Sequence, residues 1–303
     1  MKDLIVIGAG PGGITSALYA ARANLDVAII EQGLPGGQMN NTDVVENYPG
    51  FVSIRGQELS QKMYESIKAN NIEEIYGTVT KLDGQDEIKK VYVDDKVYEA
   101  KAVIIATGST HRTLGVPGED EFNGKGVSYC AICDGAFFRN KDVLIVGGGD
   151  AAIEEGLYLA QLANKVTVIH RRDKLRAYKN LQDRAFANDK MEFVWDTVVD
   201  EVIGNDMKMT GVKVHNVQTN AQSIIEGDGL FVYVGLQPNT SAFSHLGITD
   251  KQGWIQTNDK METILPGVFA VGDVRQKKLR QITTAVSEGT IAGQQVFYYL
   301  EDI

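Results

Sequence analysis

Leu4-Ile5-Val6-Ile7-Gly8-Ala9-Gly10-Pro11-Gly12-Gly13 opens the chain with a short apolar run and a Gly-x-Gly-x-x-Gly turn. An alanine-rich stretch from about Ile14 to Ala23 predicts a helix directly behind it. Strand, glycine turn and helix in that order are what a dinucleotide pyrophosphate needs. Gly8 permits the tight turn, Gly10 lets the phosphates approach the backbone, and Gly13 lets the helix pack on the strand. Pro11 and Gly12 complete the loop, and the helix N-terminus offers free N–H groups to the anion. The next apolar run, Val27-Ala28-Ile29-Ile30, ends in Glu31, a carboxylate placed to accept from ribose hydroxyls. An acid there disfavours a 2′-phosphate and suits FAD or NAD.

The pattern returns later. Val143-Leu144-Ile145-Val146 is followed by Gly147-Gly148-Gly149-Asp150-Ala151-Ala152 and a predicted helix to about Leu162. Ala152 takes the packing position that tolerates a small residue. The following strand, Val166 to Ile169, ends in His170-Arg171-Arg172, with Arg176 one turn on if a helix begins there. Guanidinium groups at this point match a 2′-phosphate through paired, charge-assisted bonds, the NADP choice. The alternative is a solvated basic face. Glycine-ended strands at Val103–Gly108 and Gly229–Gly235 complete the two copies. Gly115–Gly118 and Gly235–Pro238 flank the second copy as expected linkers.

Between the copies lie the only two cysteines of 303 residues, in Tyr129-Cys130-Ala131-Ile132-Cys133-Asp134-Gly135. Thiols at this spacing can alternate between dithiol and disulfide as a two-electron store. A zinc site would need a second ligand pair; the four histidines are scattered, so no metal is expected. Two inert buried thiols are the blander alternative. Asp134-Gly135 is open to two readings, a turn former or a functional acid.

The rest of the chain sets limits. Apolar content of 43% is globular, and a net charge of -10 argues against nucleic-acid binding. No apolar run reaches signal-peptide or membrane length, so the expected location is cytoplasmic. Pro35–Gln38 and Asn47–Gly50 have turn chemistry, and Gly56–Asn70 has a helical apolar stripe. Short strands are predicted around Thr78–Leu82, Ile88–Val93, Val97–Ala100, Glu192–Val199 and Lys208–Val217. The tail holds a strand ending in Gly272-Asp273, then Arg280-Gln281 and a helix from about Thr283 to Leu300. Its domain cannot be read from sequence.

Taken together, Gly8–Gly13, Gly36-Gly37-Gln38, Ala106-Thr107-Gly108, the Cys130–Asp134 run, Gly147–Ala152, His170–Arg172 with Arg176, and Gly272-Asp273 with Arg280-Gln281 resemble the bacterial-type, low-molecular-weight thioredoxin reductases from end to end. The resemblance implies an α/β fold of two Rossmann-like, three-layer dinucleotide-binding domains, the second inserted into the first. Residues 1–111 and 239–303 would form the FAD domain, and residues 112–238 an NADPH domain carrying the disulfide. It implies FAD contacts from Gly36, Gly37, Gln38, Asn47, Asp273, Arg280 and Gln281. It further implies a homodimer passing electrons from NADPH through FAD and the cysteine pair to thioredoxin or a thioredoxin-like protein. Cys133 would face the flavin, Cys130 would attack the substrate, and Asp134 would carry a proton. Because one domain holds the cysteines and the other the flavin, rotation between them is expected.

Overall fold

The computed structural model describes residues 1–42, 44–84 and 87–302. The chain forms two compact units: Met1–Thr110 with the segment from Gln237 onward, and His111–Leu236.

The first unit is built on a seven-stranded sheet. Its parallel part runs Glu73–Tyr76, Val27–Glu31, Lys2–Ile7, Lys96–Ile105, Val268–Ala270. Successive side chains of a strand point to opposite faces. Leu4 and Val6 therefore enter one core, with Ile14 and Ala17 of the Pro11–Arg22 helix. Ile5 and Ile7 enter the other, with Leu82, Val91 and Phe243. Apolar runs rather than alternation are the signature of a sheet covered on both faces. The helix starts three residues before Ile14, at Pro11, because proline's fixed φ and missing N–H suit a first helical turn.

One sequence expectation needs correcting here. Val97–Ala100 and the run from Val103 form one strand, Lys96–Ile105, whose first half pairs antiparallel with Lys89–Val93 and whose second half pairs parallel with its other neighbours. The partner changes midway, so the residue pattern changes too. The tail belongs to the first unit: its strand adds to the sheet, and its helix, Ile282–Glu301, packs on Pro11–Arg22 through glycine. A Cβ on Gly289 would lie 2.4 Å from the Gly12 carbonyl oxygen, so only glycine permits this approach.

The second unit repeats the plan. A five-stranded parallel sheet runs Val127–Ser128, Gly229–Val232, Asp142–Val146, Lys165–Ile169, Met191–Val194. Helices Asp150–Leu162 and Lys179–Phe186 cover one face. A three-stranded antiparallel sheet, Thr197–Gly204, Met209–Asn216 and Gln222–Glu226, covers the other. The predicted Glu192–Val199 strand is two strands, broken at Asp196, which takes a left-handed φ of 50°.

The chain crosses between units at Ser109–His111 and at Leu236–Pro238, which pair as a two-stranded ribbon. Arg112 N–H donates to Gly235 O at 2.9 Å, and Asn239 N–H to Gly108 O at 3.0 Å. The predicted linker Gly115–Gly118 lies inside the second unit. Buried Glu119 accepts from Leu114 and Gly115 N–H, and Pro117 O accepts from Val202 N–H. Glycine and proline marked a tight turn there rather than a joint.

Candidate active site

Cys130 and Cys133 are joined as a disulfide with Cα atoms 5.3 Å apart. Cys130 is extended and caps the single turn Ala131–Asp134, so its Sγ accepts from Cys133 N–H at 3.2 Å. Ser128, at the end of its strand, ties the ring from both sides. Its hydroxyl accepts from Cys130 N–H at 3.1 Å and donates to Asp134 Oδ2 at 2.6 Å. Asp134 is thus held by the strand that delivers the first cysteine, which goes beyond turn formation. Ala131 N–H donates to the Tyr233 hydroxyl at 2.7 Å. Burial, with the negative charges of Glu155 and Asp134, pushes that phenol up and keeps it protonated. Ser128 and Tyr233 were not legible in the sequence, since neither belongs to a spaced motif.

In the first unit the glycine loop is seated as its spacing requires. A Cβ on Gly13 would lie 1.9 Å from Gly8 O, whereas Gly10 has open space around it. Glu31 accepts from Ala9 N–H at 2.8 Å and Gly33 N–H at 2.9 Å, which fixes its carboxylate at the loop edge. Gly36 N–H donates to Ala9 O at 2.7 Å, and Gly37 packs on the Gly10 backbone. Gln38 donates to Ser109 O at 3.2 Å, and Asn47 to Gln281 Oε1 at 3.1 Å. Gln281 caps the C-terminal helix in a reciprocal pair with Thr284. Arg280 lies 3.9 Å over the Trp254 ring and points Nε toward Asp273 O. Gly36 and Gly37 are thus tied to the glycine loop, Asn47 to Gln281, and Arg280 to the Asp273 turn.

Asp273 provides the test of fit. Its Oδ1 is sealed from solvent and takes no hydrogen bond, although the Lys277 ammonium stands 3.4 Å away. A hydroxyl-bearing ligand such as a ribityl chain would satisfy it. Burial pushes the carboxyl above the ordinary carboxylate range, against the pull of Lys277 and Arg280. The folded chain therefore binds this proton more tightly than the unfolded chain, and stability is lost as pH rises through the raised pKa. Asp273→Asn should remove that loss, making the ligand-free chain more stable to urea at pH 8 than wild type. It should also weaken FAD binding about tenfold or more, for want of a charged acceptor. Fluorescence titration with FAD checks this, and unchanged affinity would remove Asp273 from the site. Glu288, which no motif marked, holds the same turn by accepting from Gly272 N–H at 2.7 Å and pairing with Arg275 at 2.8 Å.

In the second unit, Gly147 has φ 150° and Gly149 faces open space, while the Ala152 methyl would meet a Cβ on Gly147 at 2.9 Å. The helix begins at Asp150, with Ala151 exposed in its first turn. No helix begins at Arg172; instead the segment returns to the loop. Gly148 O accepts from Arg176 N–H at 2.6 Å, and Asp150 Oδ1 from Tyr178 N–H at 2.8 Å. His170 is buried beneath Gly148, edge-on to Trp195. Burial first, then the charges of Arg176, Arg172 and Arg171, push its pKa down, so it is a neutral prop under the loop. Those three arginines are exposed and, among the described residues, make no ion pair. An unpaired guanidinium cluster beside a glycine loop fits a 2′-phosphate.

Two glycine loops on parallel sheets and a Cys-x-x-Cys disulfide define a dinucleotide-dependent disulfide oxidoreductase. The chain belongs to the pyridine nucleotide-disulphide oxidoreductase family, whose profile matches residues 2–289. It is 54% identical over 301 residues to a thioredoxin reductase of Listeria monocytogenes, covering 99% of this chain and 94% of that protein. The solved thioredoxin reductase of Streptococcus pyogenes is 59% identical, with a TM-score of 0.96 over 100% of this chain and 99% of that one. That of Lactococcus lactis, described as in an FR conformation, is 49% identical with a TM-score of 0.70 over 100% of both chains.

Proposed function

We propose that this chain is a thioredoxin-disulfide reductase that uses NADPH and FAD. The observation carrying the proposal is the Cys130–Cys133 disulfide, ringed by hydrogen bonds in the unit that also bears the arginine-rimmed loop. FAD would be held by Gly8–Gly13, Glu31, Gly36–Gln38, Asn47, Asp273, Arg280 and Gln281, and NADPH by Gly147–Ala152, Arg171, Arg172 and Arg176, with His170 supporting the loop. Bound FAD supplies the two-electron relay between nicotinamide and disulfide.

The chain's own groups account for the remaining chemistry. When the disulfide opens, Cys133 N–H already points at Cys130 Sγ, so charge on Cys130 is favoured. Cys130 is then the thiolate that attacks a thioredoxin disulfide. A mixed disulfide forms, and one thioredoxin sulfur leaves. Cys133 attacks Cys130 in turn, restoring the ring and releasing reduced thioredoxin. Asp134, fixed by Ser128, supplies a proton to a departing thiolate. The functional particle on this reading is a cytoplasmic homodimer. Among the described residues no helix is long and apolar enough to cross a membrane. The test is anaerobic NADPH oxidation, which should proceed catalytically only when thioredoxin is supplied.

Rotation of one unit against the other about the paired crossings belongs to this reading. Gly108 and Gly235, with φ 68° and 128°, supply backbone freedom at both crossings. A covalent crosslink between units should leave at most one half-reaction intact. Full turnover of the crosslinked enzyme would end the rotation proposal.

A further inference from the structure

Behind the cysteine ring stand two side chains with no part in the exchange described above. Glu155 projects from the helix Asp150–Leu162. Its Oε2 is sealed from solvent and has no hydrogen-bond partner, while the Ile132 N–H points at the same carboxyl. Ile132 lies between the two cysteines, and the N–H before it is taken by the Tyr233 hydroxyl at 2.7 Å. The phenol thus takes one N–H of the turn that carries the sulfurs, and the carboxyl lies toward the next. The negative charges of Glu155 and Asp134 both help to hold the proton on the Tyr233 hydroxyl.

The surroundings of Glu155 are acidic. Glu154 acts from its own helix, Tyr233 faces it from the strand end, and Asp134 lies at the far end of the turn. Among the described residues, Glu155 makes no ion pair with a cation. Burial first and Glu154 second raise this carboxyl to about 7, against the pull of the Ile132 N–H. It is thus poised where a new negative charge nearby changes its state.

We propose that Glu155 is a positioning residue for the redox turn and also holds the proton linked to opening of the Cys130–Cys133 bond. The inference rests on the pair being a redox centre. Opening breaks one S–S bond and consumes two electrons, from the reduced flavin in turnover or from a dithiol reagent in the test. One proton goes to the Cys133 sulfur and Cys130 remains a thiolate. The second proton goes to the Glu155 carboxylate, because two negative charges at one turn are unfavourable. Two electrons and two protons enter, and the charge of the site is unchanged.

The test is a redox titration of the FAD-loaded enzyme against dithiothreitol couples from pH 7 to pH 9, with thiols trapped by alkylation and weighed. Wild type should take up close to two protons per two electrons from pH 8 to pH 9, and fewer toward pH 7, where part of the Glu155 carboxyl already holds its proton. Glu155→Gln keeps an oxygen for the Ile132 N–H but cannot titrate, and its uptake should fall toward one, shifting the reduction equilibrium about tenfold at pH 8. Tyr233→Phe leaves the carboxyl and should keep the wild-type slope. Infrared difference spectra of wild type give a second readout, a protonated-carboxyl band that grows on reduction above pH 7. Equal slopes for wild type and Glu155→Gln, or no such band, would overturn the proposal alone. A wild-type pair that never reduces reversibly would overturn the redox reading along with it.

Discussion

Cys133→Ser should lose thioredoxin-dependent turnover by at least about 10³-fold while still accepting hydride from NADPH. The loss is large because no other thiol exists to take over: the chain has two cysteines, and both are in the ring. Cys130→Ser should fail equally in turnover but differ in what it leaves behind. Its remaining thiol lacks the Cys133 N–H contact that favours charge on Cys130, so Cys133 should alkylate slowly at neutral pH, whereas the Cys130 of Cys133→Ser should alkylate fast. Stopped-flow flavin bleaching, thioredoxin-coupled NADPH oxidation and iodoacetamide rates measure the three quantities. Turnover surviving either substitution would mean that electrons reach thioredoxin without the ring.

The paired variant Arg172→Ala with Arg176→Ala should raise the KM for NADPH about 10²-fold and leave NADH use nearly unchanged. Each charge-assisted bond to a phosphate is worth about 1.5–3 kcal/mol, which is roughly tenfold or more per arginine. The loop itself should survive, because Gly148 is held by the Arg176 main-chain N–H, which alanine keeps. High salt should weaken NADPH binding to wild type more than to the variant, since these guanidinium groups are exposed and screened. Equal losses with both nucleotides would instead identify a damaged loop.

Much of the fold was legible because its signals are collective. Leu4–Gly13 and Val143–Ala152 each combine an apolar run, a glycine spacing and a helix, and the structure builds strand, turn and helix at both. The continuous strand Lys96–Ile105 was not legible, since its two halves obey different pairing rules. Nor was the joint. Gly115–Gly118 has linker composition, but Glu119, a charged residue buried by its contacts with Leu114, Gly115 and Tyr129, pins it inside the second unit. At the site, Cys130, Cys133 and the glycines announced themselves by spacing. Ser128, Glu155, Tyr233, Trp254 and Glu288 are single residues recruited by proximity, and proximity across tens of residues leaves no mark on a linear pattern. His170 lies in the motif and is buried beneath the loop, where burial lowers its pKa.

The ribbon formed by Ser109–His111 and Leu236–Pro238 places the entry and exit of the inserted unit side by side, with Arg112 N 2.9 Å from Gly235 O. A gene segment whose product begins and ends at neighbouring points can be grafted into a host at one surface position, without stretching the host's backbone. The same adjacency means that excising it and closing the gap with a tight hairpin would keep the recipient's chain path continuous. Exchange of the inserted unit between proteins of this build is therefore a geometric property of the seam, independent of the chemistry on either side.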